Sequence, residues 1–274
     1  MFHFLFDFLQ KKGIDTVSAL PLSECKIQRA YLLEREGISD GTVFLLAIPY
    51  FTKPCTDDSR NLSAYAVSRD YHGFYKELFG ELLPLLQKNY PEHRFACFAD
   101  HSPIDERDAA ARAGIGVIGK NGLLITEKYS SYVFLGEVVT SAILQTPPLQ
   151  EIRFCENCGR CQQACPMEVC GGCLSALTQK KGVLSEKEQA DIIRYGSVWG
   201  CDICQEVCPH TLRAIQSGSI YTQIPYFTQQ TIPHLTASRL GKMTDEEFSA
   251  RAYAWRGRET ILRNLLIMEA DEEE

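Results

Sequence analysis

The sequence has no run of about 18 or more consecutive apolar residues, which excludes an ordinary membrane-spanning helix. It has no surplus of positive charge either. Against 28 Lys and Arg stand 35 Asp and Glu, a formal net charge of -7. A chain of that balance is not drawn as a whole to phosphate backbones, so a nucleic-acid contact would need a local basic patch. No basic segment precedes the apolar N-terminus, and Asp7 interrupts MFHFLFDFLQKKG. That stretch reads as an amphipathic first helix with Phe4, Leu5, Phe8 and Leu9 on one face, not as a signal peptide, and the expected location is cytoplasmic. Internal repeats and low-complexity tracts are missing, apart from the last four acidic residues. What remains is a chain of 274 residues, 45% hydrophobic and 23% charged, with the proportions of a soluble globular protein of one large or two ordinary domains.

Cysteine is scarce in the first half and crowded in the second. Of 12 cysteines, Cys25, Cys55 and Cys97 are scattered through the first 150 residues, and the other nine fall between Cys155 and Cys208. Where thiols stay reduced, that density points to metal ligation before disulfides. In the cysteine-poor half, Thr42 to Tyr50 and Arg94 to Asp100 read as strands, the first buried on both faces. Between them YHGFYKELFGELLPLLQKNY has helical spacing, with Pro84 a kink or restart. A short helix in IDERDAAARAG stops at Gly114, and GLLIT and YVFLGEVVT are further strands. The mix predicts an α+β fold. Ser185 with Glu188, and Thr244 with Glu247, are capping boxes that open later helices.

The first cysteine motif is Cys155-x2-Cys158-x2-Cys161-x3-Cys165-Pro166. Three thiolates at such gaps wrap three corners of one [4Fe–4S] cubane, and the fourth, followed by proline, turns to a second cluster. A zinc knuckle would place its second pair farther away. The second motif, Cys201-x2-Cys204-x3-Cys208-Pro209, lacks one cysteine, which Cys170 or Cys173 must supply. An assignment that crosses the motifs puts Cys155, Cys158, Cys161 and Cys208 on one cluster, and Cys165, Cys201, Cys204 and the eighth ligand on the other. The run from Gly114 to Asn121 matches G-x-G-x-x-G, but a helix precedes it and a strand follows. That order is the reverse of what a phosphate-binding loop needs, so the glycines make a tight turn or admit a large ligand.

Several segments together resemble the epoxyqueuosine reductase family: residues 63–72, 98–126 and 130–140, the first cysteine run, CLSALTQKKGVL and WGCDICQEVCP. The resemblance implies a corrinoid-binding α+β domain (1–147), a ferredoxin-like double [4Fe–4S] domain (148–215) and a C-terminal helical tail (216–274). It implies a cobalamin-dependent reductase that converts the epoxide of epoxyqueuosine in tRNA to the alkene of queuosine, or acts on a smaller related substrate. An external low-potential donor would supply electrons. It places Asp100 as proton donor and cofactor contact, and Lys120, Asn121, Ser131, Tyr132 and Ser175 on the corrinoid side. It also favours Cys173 as the eighth ligand. Family members continue past the segment matched by WRGRETILRNLL into helical repeats, so the chain looks like a short form, which weakens tRNA as substrate. The competing reading is a non-catalytic double-cluster electron carrier. For Asp100, the competing reading is a cap on the next helix.

Overall fold

The computed structural model describes residues 2–167 and 172–272. Its first helix, Phe2–Lys11, lays Leu5 and Leu9 into the core, with Phe4 and Phe8 packed beside them. A four-stranded antiparallel sheet follows in the spatial order β1 (Thr16–Pro21), β2 (Thr42–Pro49), β6 (Val133–Thr140), β3 (Phe95–Phe98). All eight residues of β2 are buried. Phe44, Leu46 and Ile48 face one hydrophobic cluster, and Val43, Leu45 and Ala47 face another. This is the near-continuous apolar run of a strand covered on both sides. Two short strands, β4 (Gly116–Ile118) and β5 (Leu124–Thr126), form a separate ribbon.

Several sequence expectations hold at the level of single residues. The helix Glu106–Arg112 ends in a turn with Gly114 at φ 77°. Gly116 then runs so close to the β5 backbone that a Cβ would lie 2.4 Å from the Ile125 carbonyl oxygen. Ser185 and Glu188 cap the helix Glu186–Tyr195, and Gly196 closes it at φ 61°. Other expectations are corrected. The helix Tyr71–Asn89 passes unbroken through Pro84, because both Pro84 and Gly80, whose carbonyl loses its partner, face water. GLLIT forms the strand β5, paired with β4. β1 and the helix Ala30–Arg35 had no clear signal in the sequence.

The ferredoxin-like domain expected over 148–215 is also corrected. A ferredoxin-like unit alternates strands with helices. The described residues of this span form the helices Arg160–Ala164, Leu174–Thr178, Glu186–Tyr195, Ile203–Glu206 and Pro209–Ser217, with only isolated bridges at Phe154 and Trp199. The last long helix, Arg258–Glu272, packs on this all-helical layer, where Asn264 donates to the Thr178 and Val198 carbonyls at 2.7 and 2.8 Å. Among the described residues no helix is long and apolar enough to cross a membrane.

Asp202 ties this layer to the sheet. Its buried carboxylate accepts from Arg60 Nη1 at 2.7 Å, Ser63 Oγ at 2.6 Å, the Ala64 amide at 2.6 Å and Gln205 Nε2 at 3.1 Å. Arg60 also pairs with the more exposed Glu206. Removing one partner of a buried pair strands the other charge, which costs about 3–5 kcal/mol. Asp202→Ala should lower unfolding stability by that amount in denaturant titration, while Glu206→Ala should cost about 1 kcal/mol or less. Equal losses would mean that Asp202 is not the joint.

Candidate functional site

An open cleft of about 770 Å³ lies between the sheet and the helical layer. Its sheet-side wall is an aromatic column. Tyr50 stacks on Phe134 with ring centroids 4.2 Å apart, Phe134 on Tyr71 at 4.1 Å, and Tyr71 on His72 at 4.2 Å. The sequence builds this locally: β6 carries Phe134, and Asp70 caps the helix that starts at Tyr71. The Asp70 carboxylate accepts the His72 amide at 3.2 Å and also meets His72 Nδ1 at 2.9 Å.

Across from that helix start, just beyond β3, stands Asp100. Its backbone is left-handed, φ 60°, a strained conformation for a residue that is not glycine. Its carboxylate accepts from the Tyr71 hydroxyl, and His72 Nε2 lies 3.0 Å away. Both ring nitrogens of His72 therefore face carboxylates, an arrangement that needs a proton on each. The hydrogen bonds to Asp100 and then Asp70 push His72 up to about 10. Burial pushes Asp100 up, but its bonds with His72 and Tyr71 outweigh this and hold it below the ordinary aspartate value. Near neutral pH the site is thus an imidazolium between two carboxylates.

This arrangement changes the chemistry expected of Asp100. The bonds from His72 and Tyr71 favour an ionised Asp100 and a proton on His72 over a carboxylic acid kept protonated by burial. The capping alternative fails as well, since Asp105, not Asp100, caps the next helix. His101 turns away from Asp100 and meets the Tyr31 hydroxyl at 2.7 Å. Tyr71 and His72 lie at the end of segment 63–72, and the resemblance alone gives them no role. Their signal was an Asp-Tyr-His run at a helix start.

The other expected residues divide. Asn121, Ser131 and Ser175 line the cleft with Asp100. Ser131 Oγ donates to Gln205 Oε1 at 2.9 Å, and Ser175 Oγ accepts from Gln179 at 3.1 Å. Lys120 lies at a second, smaller cavity, where its amide approaches Cys155 Sγ at 3.4 Å. Tyr132 is fully buried between Tyr50 and Phe51. The single corrinoid-binding surface expected from these residues is therefore not formed: one member is core and another faces a different cavity.

The cysteines also divide. Cys155, Cys158, Cys161 and Cys208 line the smaller cavity, whereas Cys173, Cys201 and Cys204 line the cleft; Asn121 Nδ2 approaches Cys204 Sγ at 3.8 Å. Burial raises Cys201 to about 12 and Cys204 to about 11. Cys170 lies outside the described residues. Among the described residues no group of three or more His, Cys, Asp or Glu is placed to hold a metal ion. The assignment of two [4Fe–4S] clusters is corrected on that finding. With it go the cobalamin they were to serve and the alternative of a cluster-bearing electron carrier. Cys25, Cys55 and Cys97 are core thiols.

No family model matches the chain. Among curated proteins, the epoxyqueuosine reductase of Gloeobacter violaceus is 32% identical over 218 residues, covering 76% of this chain and 68% of that protein. Those of Listeria monocytogenes and Pseudomonas aeruginosa are 32% and 31% identical, but the chain spans only 54% and 61% of their lengths. Among solved structures, epoxyqueuosine reductase from Streptococcus thermophilus superposes over 100% of this chain and 82% of its own, with TM-score 0.79 and 22% identity. The Bacillus subtilis enzyme, solved with its catalytic aspartate loop swung out of the active site, gives TM-score 0.75 at 22% identity over 98% of this chain and 82% of its own. At that identity the structures establish the fold. The sequence relatives establish the kinship: the chain belongs to the epoxyqueuosine reductase family and, with it, to the oxidoreductases.

Proposed function

We propose that this chain reduces an epoxide carried on a modified nucleoside of tRNA, in a cytoplasmic setting, with His72 and Asp100 as its acid unit. The observation that carries the reading is the His72 ring on the wall of an open cleft, with its two nitrogens 2.9 and 3.0 Å from Asp70 and Asp100. Turning an epoxide into an alkene breaks two C–O bonds and releases the oxygen as water. That change takes two electrons and two protons. An external low-potential donor supplies the electrons; His72 supplies a proton at the departing oxygen, and Asp100 and Asp70 hold the ring in place and favour its recharging. A solved relative holds a tRNA stem loop that carries epoxyqueuosine, which supports the same class of substrate here.

The rim of the cleft suits a nucleobase. Trp255 lines it with 62% of its surface exposed, and the Arg256 guanidinium lies 3.9 Å from the ring centroid. Enzymes that act on a base take it out of the stack and hold it against aromatic or guanidinium planes. Trp255 offers such a platform, and the adjacent Arg256 supplies a local positive charge that the overall acidity of the chain does not.

Oxygen loss from an epoxyqueuosine-bearing anticodon stem loop, followed by mass spectrometry with a chemical low-potential reductant, tests the reading. His72→Ala and Asp100→Asn should each lower turnover on the order of 100-fold or more, the range of a general acid. Turnover should fall as pH rises through the basic limb set by His72, toward about 10. In Asp100→Asn that limb should move down toward the ordinary histidine value of about 6.5. An unmoved limb removes His72 from the chemistry.

Trp255→Ala should raise KM with little change in kcat, by a factor corresponding to about 1–3 kcal/mol of lost base stacking. A fall in kcat at constant KM would contradict the platform role.

A further inference from the structure

Two arginines without a counter-charge stand beside the cleft. Arg69 and Arg251 face each other across an isolated antiparallel bridge, and next to it the Asp70 amide donates to the Ala250 carbonyl at 2.8 Å. Side chains of a bridged pair leave on one face of the backbone, and their chain neighbours leave on the other. The neighbours Asp70 and Ala252 line the cleft, so the two arginines stand together on its outer flank. Like charges set directly opposite each other are destabilising.

The fold supplies no anion to offset them. Among the described residues, the arginines that pair with carboxylates are Arg35, Arg60, Arg112, Arg213 and Arg258. Arg251 is only 8% exposed, and its guanidinium makes one hydrogen bond, from Nη1 to the Gln230 carbonyl at 2.7 Å. The guanidinium of the half-buried Arg69 lies 3.8 Å from the Tyr226 ring centroid. The Nε atoms of both arginines are buried without a partner. Arginine is almost never buried to this degree unless its charge is met, because an unpaired charge away from water is costly. Burial, and then the charges of Arg239 and Arg69, hold Arg251 below the ordinary arginine value, against the opposing pull of Tyr253 and Glu247. Glu247 is itself taken by the Thr244 amide at 2.9 Å.

The pair is also held in place. Tyr226, which carries the Arg69 guanidinium on its ring, donates its hydroxyl to the Asp70 carbonyl at 2.8 Å. Arg69 is thus set relative to the cleft before any ligand arrives, which lowers the ordering cost of binding. We propose that Arg69 and Arg251 form an anion subsite that takes a backbone phosphate of the nucleic acid whose modified nucleoside enters the cleft. Guanidinium groups meet phosphate oxygens through paired N–H donors, a geometry that a single ammonium does not offer. The subsite also supplies the local positive charge that a chain of net charge -7 needs in order to hold a polyanion. The identity of the phosphate carrier rests on the tRNA reading above; the anion subsite itself does not.

Binding of an unmodified anticodon stem loop, followed by fluorescence anisotropy over a salt series, tests this without turnover. Arg69→Gln is the main variant, because the Arg69 side chain makes no hydrogen bond that the fold would lose, and circular dichroism checks that it folds. It should weaken binding about tenfold or more, as loss of a charge-assisted contact does. The slope of log affinity against log salt should become shallower by about 0.7, the value for one phosphate contact on a single strand. Arg69→Lys should restore the slope but not the full affinity. Inorganic phosphate, compared with chloride at equal ionic strength, should raise the thermal midpoint of the unaltered protein and not that of Arg69→Gln. An unchanged slope in Arg69→Gln, or no stem-loop binding by the unaltered protein, would overturn the proposal. If phosphate then still stabilises the unaltered protein and not the variant, the pair serves a free phosphate instead. Because this stem loop carries no epoxide, the outcome is independent of His72 and Asp100. The expected salt response without any oxygen loss on modified RNA would support the subsite and sink the reductase reading.

Discussion

The cleft exists because Asp202 bridges the two parts that form its walls. Its carboxylate takes one charged and three neutral donors, with Arg60, Ser63 and Ala64 on the sheet side and Gln205 on its own side. Main-chain bonds reinforce the joint, from Ser63 to the Trp199 carbonyl at 2.8 Å and from Val198 to the Asn61 carbonyl at 2.8 Å. A buried carboxylate with a full set of donors is stable where one with fewer would not be. The aromatic column and Asp100 on one wall, and Ser175 and the Cys201 to Gln205 turn on the other, take their separation from it.

Electrostatics then decides what the cleft can do. Asp100 and Asp70 stand on opposite sides of one imidazole, and two anions around one titratable ring move its proton affinity further than either would alone. His72 remains about half exposed, so solvent weakens the effect but leaves its direction. A cation held by carboxylates at the mouth of an open site suits protonation of an oxygen leaving a large polar substrate.

Local features were legible from sequence. The capping boxes at Ser185 and Thr244, the glycine stop at Gly114 and the doubly buried β2 are each set by interactions within a few residues or by an unbroken apolar run. Asp100 was found because it stands in a matched segment at a strand end. Its ionisation was missed because that depends on His72 and Tyr71, about 28 residues earlier, which a helix cap turns toward it. The cysteine spacing did group the thiols as the crossed assignment divides them, Cys155, Cys158, Cys161 and Cys208 at one cavity and Cys173, Cys201 and Cys204 at the other, but among the described residues no three of them are placed to hold a metal ion. The burial of Glu137 in β6 was invisible because a single acid in an alternating strand reads as an outward-facing residue, while β6 is covered on both faces.

The central claim is that the proton of the site resides on His72 and not on Asp100. A titration of the His72 ring by nuclear magnetic resonance, assigned with His72→Gln, measures it directly. The account predicts a midpoint several units above the ordinary value of about 6.5, falling back toward it in Asp100→Asn. A midpoint near 6.5 in the unaltered protein, or one that ignores the loss of Asp100, would contradict it.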